Sequence, residues 1–172
     1  MSVVHGVRYR VFSAAVALCL AIILACLAAG TSLADTNVDV TRYLETHNTY
    51  ISSQLPASSH ISKGDIDRLE AQVRSASRLD VPEKIALVAR FPSKYSSTYT
   101  AARGLRHFLD FSGVLVLVSP RGIGVSSDTL TLDEIQAVER KARPICLVSF
   151  TDCAVEAGHD AANRVHAAHQ QT

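Results

Sequence analysis

The chain has 172 residues, 48% of them hydrophobic and 19% charged, with a formal net charge of +1. That balance excludes a charge-extended disordered chain, and it offers no basic face of the size that phosphate neutralisation requires, so nucleic acid is not an expected partner. Four cysteines in a chain of this length exclude a small scaffold built on disulfides, and the apolar content suffices for an ordinary core.

Residues 1–10 are basic, with Arg8 and Arg10 and no acid, and residues 11–29 form a charge-free apolar run. Ser32 and Ala34 then occupy the −3 and −1 positions of a signal-peptidase site. Two outcomes fit residues 1–34: a signal peptide cleaved near Ala34, or an anchor retained through residues 11–29, since a bilayer span needs about 17–25 apolar residues. A lipid-modified Cys26 in the loose lipobox Ile23-Leu24-Ala25-Cys26 is a third. With the arginines ahead of the run, the rest of the chain faces outward in either main case, secreted or anchored. Residues 35–172 are then one domain.

Residues 35–45 read as a short helix or a lead-in, and residues 48–53 have the β-rich composition of a strand. Ser62 followed by Asp65 predicts a capping box, and Ile66, Leu69, Val73 and Ala76 then recur at helical spacing, with Glu70 and Arg74 paired on the wet side. Pro82 ends that helix. Lys84–Arg90 and Gly113–Ser119 are near-continuous apolar runs, which predicts strands covered on both faces, joined by a helix over about Ser97–Leu109. A tight turn at Pro120-Arg121-Gly122 leads to a partner strand, Ile123–Ser127. Thr131 and Glu134 predict a second capping box, opening a helix with Leu132, Ile135, Val138 and Ala142 inward and Pro144 as its stop. Residues 145–150 fit either a strand or a helix, and a last helix spans about Asp152–Ala168, with Ala154, Ala161, Val165 and Ala168 inward. All five prolines fall between expected elements. The order β–α–β–α–β–β–α–α predicts an α/β fold: a mixed sheet of about four strands, helices on both faces, and an antiparallel hairpin at the edge.

Cys19 and Cys26 belong to the leader, leaving Cys146 and Cys153 in a compartment that permits disulfides. On one unbroken helix their α-carbons would lie ~10.5 Å apart, beyond bonding reach. A bridge therefore needs an intervening loop, which Thr151-Asp152 as an N-cap pair would allow. Otherwise one thiol is buried and the other begins a helix.

Three stretches together resemble the TPM domain, an extracytoplasmic α/β module. They are Ile61-Ser-Lys-Gly-Asp-Ile-Asp-Arg-Leu-Glu70, Gly113-Val-Leu-Val-Leu-Val-Ser-Pro-Arg-Gly122, and Ala157-Gly158 ahead of the last alanine-rich helix. The likeness covers about residues 48–165 and is similar to short actinobacterial secreted or anchored members. It implies a leader or anchor, in keeping with the leader expected at residues 1–34. Some members are implicated as acid phosphatases or binders of calcium or another divalent cation; others are accessory factors of membrane complexes. For the first role this sequence offers Asp110 and Asp128 as metal ligands, with Arg90 and Arg121 for an anion. The family's glycine–tyrosine–glycine–leucine–glutamate segment is replaced by Val125-Ser-Ser-Asp-Thr129, and two carboxylates are few for calcium, which takes about 6–8 oxygens. The expectation is therefore a module without enzymatic activity or cofactor that binds an envelope or membrane protein, with the divalent-cation-dependent phosphomonoesterase as the alternative.

Other motifs read more simply as structure. His166 and His169 could share a zinc-binding face but lie at a chain end without an HExxH partner. Gly122-Ile-Gly124 follows a turn into a strand, unlike a dinucleotide fingerprint, and no glycine–x–serine–x–glycine elbow occurs.

Overall fold

The computed structural model describes residues 37–171, so the expected leader, its cleavage point and the segment 11–29 lie outside the described residues. The elements are α1 (Asn37–Leu44), β1 (Thr49–Ile51), α2 (Lys63–Ser77), β2 (Glu83–Leu87), α3 (Thr98–Phe108), β3 (Val114–Ser119), β4 (Gly122–Ser126), α4 (Leu132–Cys146) and α5 (Phe150–His169). The strands pair in the order β1-β2-β3-β4; the first three are parallel and β4 closes the edge antiparallel to β3. The fold is therefore α/β, with the expected mixed four-stranded sheet and edge hairpin. Among the described residues no helix is long and apolar enough to cross a membrane.

Both faces of the sheet are covered, which is why β3 is buried at every position and could be written in valine and leucine throughout. Alternate residues sort between two cores. Ile85, Leu87, Val116 and Val118 meet Leu69 and Val73 of α2, Val138 of α4 and Ala157 of α5. Ala86, Val88, Leu115 and Leu117 meet Leu105 of α3 and Val40 and Leu44 of α1. Two parallel crossovers thus step in the same direction along the sheet, one through α2 on the first face and one through α3 on the second. They must differ in hand, so one of them is left-handed, against the strong right-handed preference of such units.

Local chemistry sets the helix starts. Ser62 with Asp65 and Thr131 with Glu134 form the two expected capping boxes, and Ser97 with Thr100 forms a third. Each such cap stabilises its helix by about 1 kcal/mol.

Several boundaries differ from the sequence expectation. Pro144 lies inside α4: in a last turn it forfeits only one backbone bond, and the helix runs on to Cys146. Leu132 is 52% exposed, because it precedes the turns that carry Ile135 and Val138 onto the core, and Ile66 is 37% exposed. The last helix begins at Phe150, capped by the Ser149 side chain accepting from the Asp152 N–H at 3.1 Å, so Thr151-Asp152 lies inside it. The strand β2 ends at Leu87, short of Arg90.

Between α4 and α5 the chain turns back through Leu147–Ser149, and Cys146 and Cys153 are bonded across that turn with their α-carbons 4.7 Å apart. The required loop is present. Closing so short a loop stabilises the fold by about 2 kcal/mol. The Cys146→Ser/Cys153→Ser protein should therefore unfold at a lower urea concentration than the oxidised parent. Coincident midpoints would show that the bond constrains nothing.

Candidate functional site

In open α/β sheets, ligand crevices form outside the carboxyl ends of adjacent strands whose following connections leave toward opposite faces. Here β1 leads to α2 on one face and β2 leads to α3 on the other, which places that point between β1 and β2. A cavity of about 530 Å³ opens there, lined by Gln54 after β1, Arg90, Phe91 and Ser93 after β2, and Pro120 and Arg121 in the β3–β4 turn. The two arginines expected to serve an anion therefore line one crevice. Among the described residues no acidic side chain lines it. Arg121 is held in place: its Nη2 donates to the Ser96 carbonyl at 3.2 Å and its guanidinium lies 4.8 Å from the centre of the Phe91 ring. Such stacking orients a guanidinium without neutralising it.

A second cavity, about 460 Å³, shares Ser119, Pro120 and Arg121 with the first and continues toward Arg143, Cys146, Leu147 and Phe150. The disulfide-closed turn beside it carries Leu147 and Val148, 88% and 89% exposed. Two adjacent aliphatic side chains presented to water at the tip of a covalently closed loop stand out from the rest of the described surface.

Asp110 and Asp128 lie at the other end of the sheet. Asp110 is exposed in a left-handed conformation (φ 46°) in the turn after α3, and Asp128 follows β4, where its Oδ1 accepts the Gly113 N–H at 3.2 Å. The six residues of β3 separate this end from Arg121, ~20 Å at ~3.3 Å per residue. The aspartates and the arginines do not meet in one centre. Among the described residues no group of three or more His, Cys, Asp or Glu side chains could hold a metal ion. His166 Nδ1 lies 3.0 Å from the Leu79 carbonyl oxygen, which fixes that ring to the α2–β2 connection.

Three buried or half-buried charges are structural. Glu139 Oε1 accepts the Val125 N–H at 2.9 Å, covering an outward-facing donor on the edge strand β4. Burial pushes the Glu139 carboxyl up, opposed by that hydrogen bond and by nearby Arg143. Lys84 Nζ donates to the carbonyls of Leu44 and His47 and to Asn48 Oδ1, tying the end of α1 to β2, while burial lowers its pKa. Glu83, only 3% exposed, accepts from Gln72 Nε2 at 3.1 Å through Oε2, while Oε1 has no hydrogen-bond partner among the described residues. Burial pushes its pKa up to about 7.

No protein-family model and no curated relative matches the chain. The solution NMR structure of the N-terminal domain of the cg2496 protein from Corynebacterium glutamicum is similar in fold, with a TM-score of 0.52 at 11% identity, covering 69% of this chain and 80% of that one. The likeness is one of architecture.

Sequence reasoning found the arginines of the crevice and missed its surroundings. The run 145–150, which fits either a strand or a helix, hid the exposed Leu147-Val148 tip. The available signal was that run itself, an apolar dipeptide between a proline and a serine cap.

Proposed function

We propose that this chain is an extracytoplasmic, non-enzymatic module that docks another envelope protein through the carboxyl end of its sheet, delivered by a cleaved leader or held by an N-terminal anchor. The observation that carries this is the gathering of Arg90, Arg121 and the exposed Leu147-Val148 tip at one end of the molecule. A docking surface needs an apolar centre and fixed polar groups around it, and this end has both. The outward orientation rests on the basic start and apolar run of residues 1–29, and the accessory role on the resemblance to the TPM domain.

The alternative, a divalent-cation-dependent phosphomonoesterase, needs Asp110 and Asp128 to hold a metal within reach of an arginine on the phosphate. Metal-assisted phosphoryl transfer requires those groups to converge on one phosphorus, and they stand at opposite ends of β3. The purified protein should hydrolyse a generic phosphate ester with calcium or magnesium no faster than its Asp128→Ala variant. Metal-dependent turnover that Asp128→Ala abolishes would favour the phosphatase instead.

A further inference from the structure

The two carboxyl-end cavities adjoin each other. They meet at Ser119-Pro120-Arg121, so a small molecule would fill one side of that turn while an extended chain would cross it. Gly122 continues the turn with open space where a side chain would stand, leaving the ridge low. The first cavity presents Arg90 and Arg121. The second presents Arg143 together with the apolar surfaces of Ile123, Leu147 and Phe150.

The charge along this path is one-sided. Among the described residues Glu139 is the single acid lining either cavity, and its Oε1 is occupied by the Val125 N–H with Arg143 alongside. Arg90 makes no ion pair with a described residue, and among the described residues the guanidinium of Arg121 meets a carbonyl and a ring face. Both therefore keep free donors for an incoming anion. A guanidinium pairs best with a carboxylate or phosphate, which it engages through two parallel hydrogen bonds. Two such groups on separate loops, followed by a mixed hollow with Leu147 and Phe150 in its lining, match a chain with spaced charges rather than one compact oxyanion.

We propose that this pair of cavities binds an extended acidic peptide segment of the docked partner, with its carboxylates on Arg90 and Arg121 and an aliphatic side chain in the hollow beside Leu147 and Phe150. This rests on the docking reading above and adds the chemistry of what docks. Association should be salt-sensitive, because exposed charge pairs are screened within about 8 Å at physiological ionic strength. It should also need the oxidised protein, since Cys146 lines the hollow and its bond to Cys153 sets the turn that bears Leu147.

The test is selection of a random-peptide phage library on the full oxidised chain, followed by fluorescence anisotropy of the winning peptides. Enrichment of peptides carrying acidic and aliphatic residues is expected, with affinity falling about tenfold or more in Arg90→Gln/Arg121→Gln and an unchanged unfolding midpoint. No enrichment, enrichment of basic or uncharged sequences, or undiminished binding to the double variant would overturn the proposal. Complete displacement of the peptides by inorganic phosphate at equal concentration would also overturn it, pointing to a small-oxyanion site. If a partner still engages the Leu147-Val148 tip in cells while the arginine variants bind it normally, the acidic peptide falls and the docking reading stands.

Discussion

Gly124→Ala should destabilise the domain by about 3 kcal/mol or more, a large share of the roughly 5–15 kcal/mol that holds a typical domain folded. Gly124 sits in the middle of β4, opposite Leu117, and it faces the first turn of α3. A Cβ there would overlap the carbonyl carbon and oxygen of Thr98 and the backbone nitrogen of Tyr99. Backbone atoms of a capped helix cannot step aside as a side-chain tip can, so relief requires α3 to lift from the edge strand. That movement would open the core formed by Ala101, Ala102 and Leu105 against β3. Urea denaturation of the variant beside its parent measures the loss. A change below about 1 kcal/mol would mean that α3 does not pack against β4 as closely as described.

Glu83→Gln should stabilise the domain at pH 8 by an amount on the order of 2–3 kcal/mol and leave it nearly unchanged at pH 4. In the folded chain Glu83 holds its proton to a pH of about 7, against 4.5 for the exposed group, because its burial penalises the charge and Gln72 offsets only part of that penalty. Between those two values the folded state binds more protons than the unfolded one, so unfolding free energy falls as pH rises through the window, by ~1.4 kcal/mol per unit. Below it both states are protonated and the neutral acid costs little. Above it the chain carries a buried carboxylate with one oxygen unpartnered. Glutamine keeps the shape and the bond to Gln72 without the charge. The difference between variant and parent should therefore grow from pH 4.5 to 7 and then level off. A difference independent of pH would show that Glu83 titrates like an exposed acid.

Glu83 also explains Gly158. A Cβ at that position of α5 would overlap Glu83 Oε1, so the helix approaches the sheet closely only because a glycine stands where the carboxyl ends. The Ala157-Gly158 pair was legible in the sequence as part of the resemblance to a known domain. Its physical cause was not, because the carboxyl it accommodates lies far earlier in the chain. The same contrast holds elsewhere. Strand runs such as Val114–Val118 and caps such as Ser62 with Asp65 are local, and the chain states them openly. The left-handed crossover and the crevice it helps to create depend on which face each helix covers, and periodicity within one helix carries no such information. Nor does a pair of aspartates in sequence say that strand length will set it apart from the arginines. Pro144 and Leu132 misled for a related reason: both sit in terminal turns, where helical geometry constrains a residue least.

A photo-activatable crosslinker placed at Val148, and in a parallel protein at Asp110, tests most directly whether the carboxyl end is the working face. Val148 is on the exposed disulfide-closed tip, and Asp110 is also exposed, at the opposite end of the sheet. Irradiation of intact cells should give a discrete adduct with one envelope protein from Val148, lost when Cys146 and Cys153 are replaced by serine, and none from Asp110. The same adduct from both positions, or from Asp110 alone, would contradict a docking surface at the carboxyl end.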